Sequence, residues 1–230
     1  MIRTILWDVD GTLLDFNAAE RAAMREMFRE TGLGECTDEM LERYSAINVS
    51  YWKRLERGEI SREQVLTGRF VEFFTLEGID TGIVPAFNAR YQERLGDTAV
   101  PRDDSLKVVA ALRGRVKQYV VSNGTVVAQT RKLDRSGLGA LMDGVFLSEK
   151  LGVEKPNRAF FDRVFEVIRP DDLSEVIIVG DSLTSDIRGG MNAGIRTCWY
   201  NPGREPLPDG YRADLVIGDL RELEKSLSGL

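Results

Sequence analysis

Six short apolar runs punctuate the chain: Ile2 to Val9, Gln118 to Ser122, Val145 to Leu147, Val176 to Val179, Thr197 to Tyr200 and Leu215 to Ile217. Each is too short for a buried helix, and most are apolar at successive positions rather than alternate ones. Strands greasy on both faces belong to a parallel sheet covered by helices. Residues 104–114, 125–136, 157–168, 184–193 and 219–227 carry the apolar spacing of amphipathic helices and predict the crossovers between those strands. Asp104, Asn157 and Thr184 are the expected N-caps of three of them.

The stretch after the first run has a different period. Ala18 to Arg29, Asp38 to Arg57, Ser61 to Glu77 and Pro85 to Arg94 repeat their apolar residues near every 3.6 positions, with glycines at 32, 34, 58, 78 and 82 between or beside them. No strand is predicted here. The expected fold class is therefore α/β: a doubly wound parallel sheet, made from residues 1–15 and 98–230, with a four-helix module from 16–97 inserted after the first strand.

Composition narrows the chemistry. The 230 residues carry a formal net charge of −6, with 43% hydrophobic and 30% charged residues. That balance fits a globular protein and predicts no nucleic-acid partner. No run reaches the length of a membrane span, and Asp8 and Asp10 interrupt the N-terminal apolar stretch, so neither a membrane partner nor a signal peptide is expected. Cys36 and Cys198 match no metal or redox spacing, and two reduced thiols suit a cytoplasmic location. Histidine is absent. Ser-His and Cys-His nucleophile systems are thereby excluded, and acid–base chemistry must use carboxylates, lysine, tyrosine or a metal-bound group.

In open α/β sheets, ligands bind beyond the carboxyl ends of the strands. Asp8 and Asp10 in Asp8-Val9-Asp10-Gly11-Thr12, then Ser122-Asn123, then Asp181 in Gly180-Asp181-Ser182, all fall at predicted strand ends, and Lys155 falls in the loop after the third. A carboxylate such as Asp8 can attack phosphorus, while a second one, Asp10, can give and take a proton. Asp-x-Asp-Gly also opens calcium loops, but Leu13 and Leu14 stand where further oxygen ligands are needed. Ser122 and Asn123 ahead of a helix can cradle phosphate, although Ser-Asn-Gly is equally a common turn. Pro156 restricts Lys155 to extended backbone, where its ammonium can neutralise a phosphoryl group or simply face solvent. Asp8 and Asp181 together suit Mg2+. Asp186 can orient its neighbours or serve as a helix N-terminal charge.

In this order and spacing the four segments resemble the haloacid-dehalogenase superfamily, over the whole chain and including a helical cap after the first motif. The resemblance implies a Rossmann-like core and an aspartyl-phosphate on Asp8, with Asp10 as acid–base and Lys155 as the cation of the third motif. It also implies Mg2+ held by Asp8, the backbone carbonyl of Asp10, and Asp181. Dehalogenases of the superfamily lack the second aspartate, so Asp10 points to phosphate esters. The cap residues Asn48, Trp52, Arg69 and Phe70 are similar to those of its bacterial pyrimidine nucleotidases, which implies a small-molecule phosphate ester, a nucleotide, as the substrate. Phosphoglycolate, a sugar phosphate and a phosphoglucomutase-like reaction stand as alternatives, with a non-catalytic scaffold further off.

Overall fold

The computed structural model describes residues 1–227. Six parallel strands form one sheet in the order β3-β2-β1-β4-β5-β6. They are β1 (Thr4–Trp7), β2 (Lys117–Ser122), β3 (Gly144–Leu147), β4 (Val176–Gly180), β5 (Arg196–Tyr200) and β6 (Leu215–Ile217). This is the Rossmann-like α/β architecture. The strand order reverses beside β1, between β2 and β4, and such a switch point opens a crevice at the carboxyl ends of the strands.

Alternation inside the apolar runs builds a core on each face of the sheet. Ile5, Trp7, Val120, Ile177 and Val179 point into one buried cluster with Val109, Leu112 and Leu133. Leu6, Val121, Val176 and Ile178 point into the other, against Phe160, Phe161 and Val164 of a covering helix. The covering helices are α5 (Ser105–Leu112), α6 (Val126–Ser136), α7 (Ser148–Leu151), α8 (Arg158–Ile168), α9 (Arg188–Ala193) and α10 (Leu223–Leu227), while α1 (Phe16–Thr31), α2 (Asp38–Glu56), α3 (Arg62–Glu77) and α4 (Val84–Leu95) lie in the intervening segment.

Two predicted caps differ. Thr184 lies inside a single π turn, Leu183–Ile187, and the capping side chain is that of Ser182, which accepts from the Ser185 amide. Asp104 precedes α5 but sits in the left-handed region at φ 57° and makes no side-chain cap. Asn157 caps α8 as expected, accepting from the Ala159 amide.

The chain separates into two compact units, one of Met1–Phe16 with Ala99–Leu230 and the other of Asn17–Thr98. Within the first, the segments flanking the second run side by side: the Asp15 amide donates to the Val100 carbonyl at 2.8 Å, and the Arg102 amide to the Leu13 carbonyl at 3.0 Å. The second unit has an aromatic core. Tyr44 stacks on Phe70 at 5.2 Å, and Phe70 also meets the edges of Phe87 and Tyr91, each at 5.1 Å. Phe70, one of the cap residues similar to those of the nucleotidases, is fully buried and is the hub on which three helices pack. Beside it, Asn48 donates to Glu20 at 2.7 Å and accepts from Arg69 at 2.7 Å, a buried polar chain across α1, α2 and α3. Trp52 is only half-buried.

Deleting the Phe70 ring leaves a cavity among aromatic neighbours that are themselves fixed by packing. Phe70→Ala is expected to destabilise the second unit by roughly 3–5 kcal/mol, read as faster amide exchange confined to Asn17–Thr98; unchanged exchange there contradicts the assignment of Phe70 to the core.

Candidate active site

Register gathers the polar residues. Trp7 is level with Val120 on one side and Val179 on the other, so the next residues out of β1, β2 and β4 emerge at one height. Asp8 comes level with Val121 and Gly180, and Ser122 and Asp181 follow one residue further out, so all three polar groups leave the sheet at its carboxyl edge. The Asp8 amide still donates to the Val179 carbonyl at 3.0 Å, holding the aspartate against β4. Gly11, at φ 92°, then turns the chain back; a Cβ there would lie 2.5 Å from Asp181 Oδ2. Only glycine permits that approach.

Lys155 is the centre of the cluster. It is buried, and its ammonium donates to Asp8 Oδ1 at 2.9 Å, Asp186 Oδ1 at 2.6 Å and the Val121 carbonyl at 2.8 Å. Three protons meet three acceptors, so the cation is fully satisfied. Asn123 fixes its backbone by a reciprocal pair: the Asn123 amide nitrogen donates to the Lys155 carbonyl, and the Lys155 N–H donates to Asn123 Oδ1, both at 2.9 Å. The Asn123 side chain, expected at the phosphate, thus holds the Lys155 loop. Buried Ser122 accepts from the Gly124 amide at 3.0 Å.

A ligand atom from each of Asp8, Asp181 and Asp186 lies within 4.8 Å of the other two. Asp186 therefore joins the acidic group in addition to contacting Lys155. Thr12, which sequence reasoning did not single out, ties the group together: its hydroxyl is 3.2 Å from Asp8 Oδ2 and 3.0 Å from Asp181 Oδ1, and it accepts from the Asp181 amide. Trp199 donates to the Asp181 carbonyl at 3.0 Å. An all-oxygen donor set of clustered carboxylates suits a hard divalent cation. The carboxylate of Asp10 faces elsewhere. Gln129 Nε2 and Lys132 Nζ of α6 both donate to it. Neither residue is legible as a site residue from the sequence, where both belong to an ordinary amphipathic helix.

Burial sets the electrostatics. It pushes the Asp8 carboxyl up to about 7, against the pull of Lys155. Burial and the neighbouring Asp8 charge push Asp181 to about 7, and burial pushes Asp186 to about 6, again against Lys155. The Lys155 ammonium is disfavoured by burial, but Asp186 and Asp8 outweigh that and raise it above its ordinary range. Too much negative charge is confined here for one lysine to balance, the condition a divalent cation relieves.

A family model for haloacid dehalogenase-like hydrolases matches residues 2–194. The chain is 31% identical to pyrimidine 5'-nucleotidase YjjG of Escherichia coli, over 97% of this chain and 96% of that protein. It is 35% identical to pyrimidine 5'-nucleotidase PynA of Streptococcus pneumoniae, over 86% and 83%. The crystal structure of YfnB from Bacillus subtilis bound to magnesium superposes with a TM-score of 0.92 at 33% identity, covering 98% of both chains.

Carboxylates whose folded pKa is raised hold protons that the unfolded chain has lost, so their contribution to stability is complete below about pH 4 and disappears as pH rises through 6 to 7. A divalent cation held by the ionised group would reverse the loss. Mg2+ is expected to raise Tm more at pH 8 than at pH 5.5, and much less in Asp181→Asn; an equal rise at both pH values contradicts the cluster as its site.

Proposed function

The chain belongs to the haloacid dehalogenase-like hydrolases, and we propose that it is a Mg2+-dependent phosphatase of pyrimidine nucleoside 5'-monophosphates that works through an aspartyl-phosphate on Asp8. The observation that carries the chemistry is the buried Asp8 carboxylate facing Lys155, with a second aspartate, Asp10, held two residues away by its own donors. The nucleotide assignment is supported by the two nucleotidases that align with most of the chain.

Asp8, Asp181 and Asp186 would hold the cation, joined by the Asp10 carbonyl that the resemblance to the superfamily implies. When bound, Mg2+ supplies neutralisation of phosphoryl charge and fixes the ester relative to Asp8. The Ser122 hydroxyl receives a phosphoryl oxygen, while the Lys155 ammonium, its protons already committed, offsets the charge between Asp8 and the incoming phosphoryl group. An Asp8 oxygen then bonds to phosphorus as the bond to the ester oxygen breaks, and the Asp10 carboxyl gives that oxygen its proton. In the second half, water attacks the same phosphorus, the bond to Asp8 breaks, and Asp10 takes the water's proton. Phosphate leaves with Asp8 and Asp10 as they began. Thr12 steadies Asp8 and Asp181 throughout.

Turnover of a panel of phosphate monoesters with Mg2+ tests the reading. Thymidine and uridine monophosphates are expected to show the highest kcat/KM, and preference for phosphoglycolate or a hexose phosphate contradicts the nucleotide assignment. Asp8→Asn is expected to lower kcat on every ester by roughly 10³-fold or more; comparable rates for the two proteins contradict the covalent route.

A further inference from the structure

Lys132 is an expensive residue to place where it is. It has no exposed surface, its ammonium lies 5.2 Å from the centre of the Phe16 ring, and its charge is met by Asp10. An apolar side chain would pack in that setting without desolvating a charge. Gln129 shows the same sacrifice. It is buried, its Nε2 is turned to Asp10 Oδ2, and its Oε1 has no hydrogen-bond partner among the described residues. An orphaned buried carbonyl costs roughly 1–3 kcal/mol. Gly124 makes room for this arrangement, since a Cβ there would lie 2.3 Å from Gln129 Nε2. Gln129 and Lys132 are three apart on α6, so one helix face delivers both donors. Three residues thus accept local costs at one point, and what they share is Asp10.

We propose that Gln129 and Lys132 are positioning residues for Asp10. Lys132 holds Oδ1, so Oδ2 is the oxygen that exchanges the proton. The Gln129 amide faces Oδ2 and can offer it either its N–H or its otherwise unpartnered carbonyl. The carboxyl group is thereby kept in one rotamer through both halves of the reaction. This rests on the reading of Asp10 as the acid for the departing oxygen.

Leaving-group dependence tests it. An alkyl ester such as a nucleoside monophosphate needs protonation of its leaving oxygen, whereas 4-nitrophenyl phosphate departs as a stable anion and does not. A positioned acid is worth about 10²–10⁴-fold. Lys132→Met is expected to lower the ratio of kcat/KM for the alkyl ester to that for the aryl ester by about tenfold or more. Lys132→Arg should recover part of the ratio, and Gln129→Leu should lower it by a smaller factor. An equal fall on both esters, or an unchanged ratio, overturns the positioning role. If Lys132→Met does not fold, Gln129→Leu decides by the same ratio. Wild-type protein that hydrolyses neither ester with Mg2+ overturns the hydrolase reading itself, a result distinct from a wild type active on both whose variants keep its ratio.

Discussion

A single buried ammonium governs this molecule's chemistry. Lys155 stands between Asp8 and Asp186 and donates to the Val121 carbonyl, and it offsets part of the charge that the ends of β1 and β4 bring together. Losing one member of a buried ion set leaves the others uncompensated, at about 3–5 kcal/mol. The same contact that steadies the folded core holds Asp8, the proposed nucleophile, in place, so stability and the proposed reactivity share one atom, Lys155 Nζ. The loop that carries it is anchored from β2 by Asn123, so the cation's position is tied to the sheet rather than to its own flexible stem.

Glycines make the crowding possible. A Cβ at Gly180 would lie 2.2 Å from Asp186 Oδ2, and one at Gly11 would strike Asp181. The backbone at two strand ends therefore gives way so that carboxylates can occupy the space a side chain would take. The π turn at Leu183–Ile187 follows at once and carries Asp186 back toward Lys155. Such turns carry one more residue than an α-helical turn and recur at functional sites.

Much of this was legible in the sequence, for a physical reason. Strands covered on both faces must be apolar throughout, so the inner strands β1, β2, β4 and β5 announced themselves; β3 and β6, at the edges with Val145 and Val216 exposed, gave shorter and weaker runs. Asp8, Ser122 and Asp181 stood out as polar residues at the ends of greasy runs. Local rules failed where tertiary contacts outrank them. Thr184 has a good capping side chain, yet Ser182 caps the turn because Asp186 must point inward. The burial of Phe70 was not legible, because spacing on a helix does not tell an aromatic that faces a partner helix from one that faces a cavity. Gln129 and Lys132 escaped notice because a buried lysine and an exposed one are written with the same letter. Only a charged residue on the apolar side of α6 could have raised the question, and Lys132 occupies that side.

The paired segments around Leu13–Asp15 and Val100–Arg102 have an evolutionary corollary. Because their hydrogen bonds close the sheet-bearing unit upon itself, the ends of the intervening polypeptide are clamped together before it contributes anything. The entropic cost of lengthening such a closed loop grows only logarithmically. Helical modules of other sizes can therefore be accommodated at this neck at little entropic cost while the sheet-bearing unit keeps its own geometry.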